Sequence, residues 1–161
     1  MKQYFRNILI YLVALLAIIA FIALFADAIE IYDSIRDSWV TYKVNAYIGK
    51  DGIYKGAIIP ISGFVIPLVI AVILIVESFQ KSWNSKLKVI NTILGIILLL
   101  CTLCVLLTKE LFLSANSLGE STILRNGQGP IISAISSSIG AILLLLATWL
   151  PFKIDMKFIE R

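Results

Sequence analysis

Residues 89–108 read VINTILGIILLLCTLCVLLT, a run of 20 residues without a charged side chain. An α-helix rises about 1.5 Å per residue, so about 20 apolar residues cross the ~30 Å hydrocarbon core of a bilayer. Three further intervals, residues 8–26, 57–76 and 130–150, are equally free of charge. The sequence therefore predicts a single integral membrane domain over residues 1–161, an all-α bundle of four transmembrane helices.

The composition of the chain favours the same class. Hydrophobic residues make up 60% of the sequence and charged residues 15%, against about 45–50% and about 25% in soluble domains. A water-soluble fold of this composition would lack the polar side chains to cover its core. The net charge of +4 comes from short segments beside the apolar intervals. That distribution is typical of a membrane topology signal and argues against nucleic-acid binding.

The first apolar interval also resembles a secretory signal peptide. Lys2 and Arg6 precede it, and Ala26-Asp27-Ala28 follows it in the manner of a cleavage site. However, the uncharged run of residues 8–26 is longer than the about 7–15 residues of a signal core. We therefore expect a retained transmembrane helix.

The distribution of cations predicts the orientation. The N-terminal residues, the loop 77–88 and the C-terminal residues 151–161 together contain eight Lys or Arg. The two longer loops, residues 27–56 and 109–129, contain six, together with seven acidic residues. We expect the chain to lie in the cell membrane. By the positive-inside rule, both termini and the loop 77–88 are expected on its cytoplasmic side, and the two longer loops outside the cell.

The first outer loop carries an apolar pattern with helical spacing. Alternating steps of four and three residues separate Ala28, Tyr32, Ile35, Trp39 and Tyr42. Such spacing places side chains on one face of a helix. The sequence therefore predicts a helical extension of the first transmembrane helix. Its stripe of Tyr32, Ile35 and Trp39 would be covered either by the second outer loop or by a partner protein.

Turn-forming residues follow this stripe. Residues 44–48 alternate in polarity, residues 49–52 read Gly-Lys-Asp-Gly, and residues 53–55 can form a returning strand. This order predicts a small β-hairpin. The second outer loop, residues 109–129, is polar and rich in turn residues, and Pro130 is expected at the first helical position of the fourth span.

Two features inside the predicted bundle concern helix packing. Pro67 lies in the middle of the second interval, where the missing N–H predicts a kink. The fourth interval has small residues at spacings of four, which permit close approach of another helix. That helix could belong to the same chain or to a second copy. The small residues concerned are Ser133, Ser136, Ser137 and Gly140.

Cys101 and Cys104 are the only cysteines and form a Cys-x-x-Cys pair in the third interval. Such pairs run thiol chemistry in some membrane oxidoreductases, but burial in hydrocarbon suppresses the reactive thiolate. Small apolar packing residues are the alternative interpretation. The chain contains no His, and its carboxylates have no metal-ligand spacing, so we expect no metal and no other cofactor.

The order of spans and loops resembles the claudin-type tetraspan layout in outline, with a longer first outer loop able to hold strands. The resemblance does not extend to that family's motifs. Trp39 stands alone where the family has a Trp-Gly-Leu-Trp run and two cysteines. We therefore use the resemblance as an analogy of fold only.

These observations favour a non-catalytic integral membrane protein, either an accessory subunit of a larger membrane complex or a small self-assembling tetraspan. Its expected partners are the lipid bilayer and other membrane subunits or copies of itself. The alternative is a transporter or channel component whose pore forms between subunits. A membrane thiol-disulfide oxidoreductase is a third hypothesis.

Overall fold

The computed structural model describes residues 2–50, 54–79, 85–116 and 123–149, and this part of the chain is mostly helical. Four of its helices are long and apolar enough to cross a membrane. This confirms the four spans predicted from the charge-free intervals. These helices are α1 (Lys2–Ile22), α3 (Ile59–Ser78), α4 (Ser85–Leu106) and α6 (Gln128–Trp149).

The four long helices form a closed ring. In it α1 packs against α3, α3 against α4, α4 against α6, and α6 against α1. Each helix contributes a fully buried side chain to the centre, and many apolar side chains on the opposite sides are exposed, as in a surface suited to lipid. The central residues include Val13, Leu74, Leu98 and Leu144.

Both prolines of α3 lie inside the helix. Pro60 occupies its first turn, where a missing N–H leaves no helical hydrogen bond unmade. Pro67 is buried further along the helix. The kink expected at Pro67 stays a prediction.

The first loop forms strands, so the predicted helical extension over residues 28–42 is wrong. After a short 3₁₀ turn at Ala23–Phe25, β1 (Ile29–Asp33) pairs antiparallel with β2 (Ser38–Tyr42). The alternation of Ile29, Glu30, Ile31 and Tyr32 suits a half-buried strand, and this period of two prevails over the helical spacing because the strand finds partners.

A strand from the second loop completes this sheet. β5 (Leu124–Asn126) pairs antiparallel with the other edge of β1, giving the order β2-β1-β5. The second loop also contains a short helix, α5 (Thr108–Asn116). Both elements lie in the segment predicted as a polar loop.

The predicted small hairpin exists only in part. Residues Asn45–Ile48 form a short helix, α2, instead of a strand. Gly49 ends this helix with φ 92°, a left-handed conformation that favours glycine. Among the described residues, pairing is limited to β3 (Gly49–Lys50) with β4 (Tyr54–Lys55), and the predicted turn residues 51–52 lie outside them.

The sheet, α2 and α5 cover one end of the bundle, which we call the sheet end. Ile29, Tyr47, Phe112 and Leu124 are buried there in one cluster with Phe64 from α3. The rings of Tyr47 and Phe64 pack edge to face, with centroids 5.4 Å apart. Burial raises the pKa of the Tyr47 hydroxyl above its ordinary value.

Close backbone contacts fix the start of α6 to the segment that follows α1. The Gly127 N–H donates to Ala28 O at 2.9 Å, and the Gly129 N–H donates to Asp27 O at 2.8 Å. A Cβ atom on Gly127 would lie 2.2 Å from Asp27 O, and one on Gly129 would lie 2.6 Å from Ala23 O. The two glycines are therefore required for the sheet end to lie this close to the bundle.

Candidate functional site

The two faces of the three-stranded sheet differ in character. Ile29 and Ile31 pair with Tyr42 and Val40 and lie on the face that packs against the buried cluster. The opposite face, which we call the outward face, is formed by the alternate residues and is largely accessible. It consists of Glu30, Tyr32, Trp39, Thr41 and Arg125.

Aromatic and charged side chains interact on the outward face. Tyr32 and Trp39 are opposite each other in the register of the two strands, and their ring centroids are 5.4 Å apart. The guanidinium carbon of Arg125 lies 4.1 Å from the centroid of the Trp39 ring, which is a cation–π geometry. Arg125 also forms an ion pair with Glu30. These contacts hold Trp39 in place while 38% of it remains exposed.

The tip of the β1–β2 hairpin is held by its own acidic residues. Asp33 Oδ1 accepts hydrogen bonds from the N–H of Ile35 at 2.9 Å and of Arg36 at 3.3 Å. The Tyr32 hydroxyl donates to the Asp37 carboxylate, and this hydrogen bond raises the pKa of Tyr32. Ile35 is 94% exposed at the tip.

The structure thus places all three predicted outer-loop residues on one hairpin. It brings Tyr32 and Trp39 together and leaves Ile35 apart at the tip. Sequence analysis missed Glu30 and Arg125 as members of the surface. Those two residues are 95 positions apart, and no local pattern indicates that β5 pairs with β1.

The predicted small-residue face of α6 lies inside the bundle. Ser133 is 0% exposed and Ser137 1% exposed, and Ser136 and Gly140 are also buried. A Cβ atom on Gly140 would lie 3.8 Å from side-chain atoms of Val13, Leu16 and Leu98. The face is therefore directed at α1 and α4 of the same chain.

Cys101 and Cys104 lie in α4 where it approaches α3, and both are free thiols. A Cβ atom on Gly63 of α3 would lie 3.1 Å from Cys104 Cβ and 3.0 Å from Cys101 O. The two cysteines therefore occupy a tight helix contact. Across the described part of the chain, no group of three or more His, Cys, Asp or Glu is arranged to hold a metal ion.

A buried carboxylate lies one residue beyond the second charge-free interval, residues 57–76. Glu77 lies in the last turn of α3 and is 8% exposed, and its carboxyl group lies beside the amide of Asn91 in α4, which is 0% exposed. Both residues are at the end of the bundle opposite the sheet end. Such buried polar residues are uncommon in membrane helices and make this pair a candidate functional position.

Comparisons with protein-family models, with curated proteins and with solved structures found no match. The class of the protein therefore rests on its own features. These are four membrane-length helices in a ring and a small antiparallel sheet over one end.

Proposed function

We propose that this chain is a non-catalytic integral membrane protein that binds another membrane protein through the outward face of its sheet. The observation that carries the proposal is the Arg125 guanidinium stacked on the exposed Trp39 ring. Trp, Tyr and Arg are the residues most enriched at the energetic centres of protein interfaces. The outward face supplies all three, already ordered by contacts within the sheet.

The nature of the face favours a protein partner. Glu30 and Arg125 balance each other in charge, and Tyr32 and Trp39 present both apolar rings and hydrogen-bonding groups. Mixed surfaces of this kind suit a protein, which offers groups of both polarities. Ile35 adds an apolar contact at the hairpin tip. With the termini cytoplasmic, as the cation distribution favours, the partner has a domain outside the membrane.

Co-purification with matched variants tests this proposal. A tagged chain is extracted in mild detergent, and stoichiometric membrane proteins bound to it are quantified by mass spectrometry. The double change Trp39→Ala with Arg125→Ala should lower recovery of the partner at least about tenfold, since residues of this kind are worth about 2 kcal/mol or more at interface centres. Accumulation of the chain itself should be unchanged.

The control removes a more accessible apolar residue and a cation elsewhere at the sheet end. Ile48 is 64% exposed, Lys50 is exposed, and neither belongs to the outward face. Ile48→Ala with Lys50→Ala should retain the partner. Equal recovery with both double variants, or the absence of any stoichiometric partner, would contradict the proposal.

A second candidate is a transporter or channel component, and the buried pair of Glu77 and Asn91 favours it. A carboxylate inside a membrane bundle is a typical element of an ion path. Ion flux into proteoliposomes that is lost with Glu77→Gln would support this candidate, and absence of flux in the unchanged protein would exclude it. A thiol oxidoreductase has less support because both cysteines lie in a helix contact.

A further inference from the structure

The strand β2 forms an open edge of the three-stranded sheet. In the order β2-β1-β5, only β1 lies beside it among the described residues. The Tyr32 N–H donates towards β5, to Ile123 O at 3.0 Å, and the Tyr42 carbonyl accepts from the Ala28 N–H at 2.7 Å. Because backbone groups alternate in direction along a strand, those of Trp39 and Thr41 point away from β1. They are available to another strand.

Nothing in the composition of β2 protects this edge. Natural edge strands usually carry charges, prolines or bulges that prevent pairing with another chain. Ser38–Tyr42 reads SWVTY, without a charge or a proline, and pairs with β1 in continuous register. Its aromatic and β-branched residues have high strand propensity. The strand is therefore suited to pairing across an interface.

We propose that two copies of this chain pair through their β2 strands, antiparallel, about a two-fold axis at Val40. Hydrogen bonding between the backbone groups that point away from β1 permits a two-fold axis at Trp39, Val40 or Thr41. Only the axis at Val40 brings Asp37 opposite Lys43 of the second copy. The symmetry repeats this pair at the other end of the strands. Charge complementarity therefore favours a second copy of this chain as the partner strand, and favours this register.

The geometry of the sheet end is compatible with such a pair in one membrane. The two-fold axis that joins antiparallel edges is normal to the sheet. The buried face of the sheet covers the end of the bundle, with Ile29 and Leu124 packed in one cluster with Phe64 and Val105. We therefore place this axis along the bundle, so that the two copies lie side by side with the same orientation. The outward face stays accessible, so this inference stands independently of the proposed partner.

Disulfide trapping tests the register. In a chain with Cys101→Ala and Cys104→Ala, Val40→Cys should give a covalent dimer on mild oxidation of membranes. At the two-fold axis the Val40 residues form a pair without backbone hydrogen bonds, with Cα atoms about 4.5 Å apart. Ser38→Cys is the control, because its two copies would be about 13 Å apart, beyond the reach of a disulfide. Val40→Cys should cross-link at least about tenfold more; equal yields would overturn the proposed register.

A proline pair tests the edge itself, measured as the mass of the purified protein in detergent without any partner. Thr41→Pro removes only an N–H that points away from β1, so the chain should accumulate normally and become monomeric. Val40→Pro breaks the β1–β2 ladder and should reduce accumulation. Lys43→Glu should weaken the dimer about tenfold and the exposed control Lys50→Glu should not. A well-folded Thr41→Pro variant that remains a dimer, or an unchanged protein that is monomeric, would overturn the proposal.

Discussion

The bundle and the sheet end expose different kinds of surface. Around the bundle, side chains such as Leu15, Val72 and Leu103 are more than half exposed, and this apolar surface is repeated on every helix. The outward face of the sheet instead presents Trp39 under the Arg125 guanidinium. Lipid tails need no directional contacts, whereas a protein partner does. The bundle therefore serves insertion, and specific recognition is expected at the sheet end.

Gly140, at the centre of the bundle, and Gly127, where the bundle meets the sheet, differ in how closely other atoms approach them. At Gly140 in the bundle, an added Cβ would make ordinary contacts at 3.8 Å. At Gly127, between the bundle and the sheet, it would lie 2.2 Å from a backbone oxygen. Side chains can adjust to a new neighbour more readily than backbone can. The sheet end is therefore expected to tolerate less change at its junction than the bundle does at its centre.

Alanine substituted for each of the two glycines should affect stability very differently. Gly127→Ala forces the Asp27–Ala28 backbone away from the start of α6. The free energy of unfolding should fall by an amount in or above the upper part of the range of about 1–3 kcal/mol seen when a core is overpacked. Gly140→Ala adds a methyl group where space exists, and should be neutral or stabilise α6 by up to about 1 kcal/mol. Thermal unfolding of the purified variants measures both.

The helices of the bundle should stay folded in Gly127→Ala, so far-ultraviolet circular dichroism should show an unchanged helical signal. If Gly140→Ala proves as damaging as Gly127→Ala, the centre of the bundle is packed more tightly than the distances at Gly140 indicate. The contrast between the two regions would then fail.

The bundle could be predicted from the sequence because the membrane imposes a local rule. A run without charge, such as residues 89–108, needs no information from the rest of the chain to be recognised as a span. The same rule missed Glu77, because an interval bounded by charges excludes a carboxylate in the last helical turn. Its burial depends on packing beside Asn91, which no span count reveals.

The sheet end could not be predicted because its stability comes from contacts between distant segments. Residues 28–42 fit a helical period and also alternate as a strand. What decides between them is β5, whose residue Arg125 pairs with Glu30 across 95 positions. The helical spacing picks out Tyr32, Ile35 and Trp39 as a stripe, although the segment that holds them forms a β-hairpin. Their arrangement, and the part of Arg125 in it, required the pairing.

A smaller effect is expected from removing the thiols of the bundle. Cys101→Ala with Cys104→Ala removes two sulfur atoms from the part of α4 that packs against Gly63, so the cost in stability should be about 1–2 kcal/mol. Thermal unfolding measures this cost, and membrane accumulation should stay close to that of the unchanged chain. A phenotype lost in each single variant, with a mixed disulfide trapped in one, would instead indicate thiol chemistry in the bundle.

The arrangement of the outward face can be tested by a disulfide between β1 and β5, the strands that contribute Glu30 and Arg125. Glu30 and Arg125 are opposite each other in the β1–β5 register, at a Cα separation of about 5.5 Å for such a hydrogen-bonded pair. In the cysteine-free background, Glu30→Cys with Arg125→Cys should form an intramolecular disulfide on oxidation. Thr41→Cys with Arg125→Cys should not, since β1 lies between those strands at about 4.8 Å per step. Protection of both thiols from alkylation in the first pair alone is the predicted result; two reactive thiols in that pair would contradict the sheet and the recognition surface built on it.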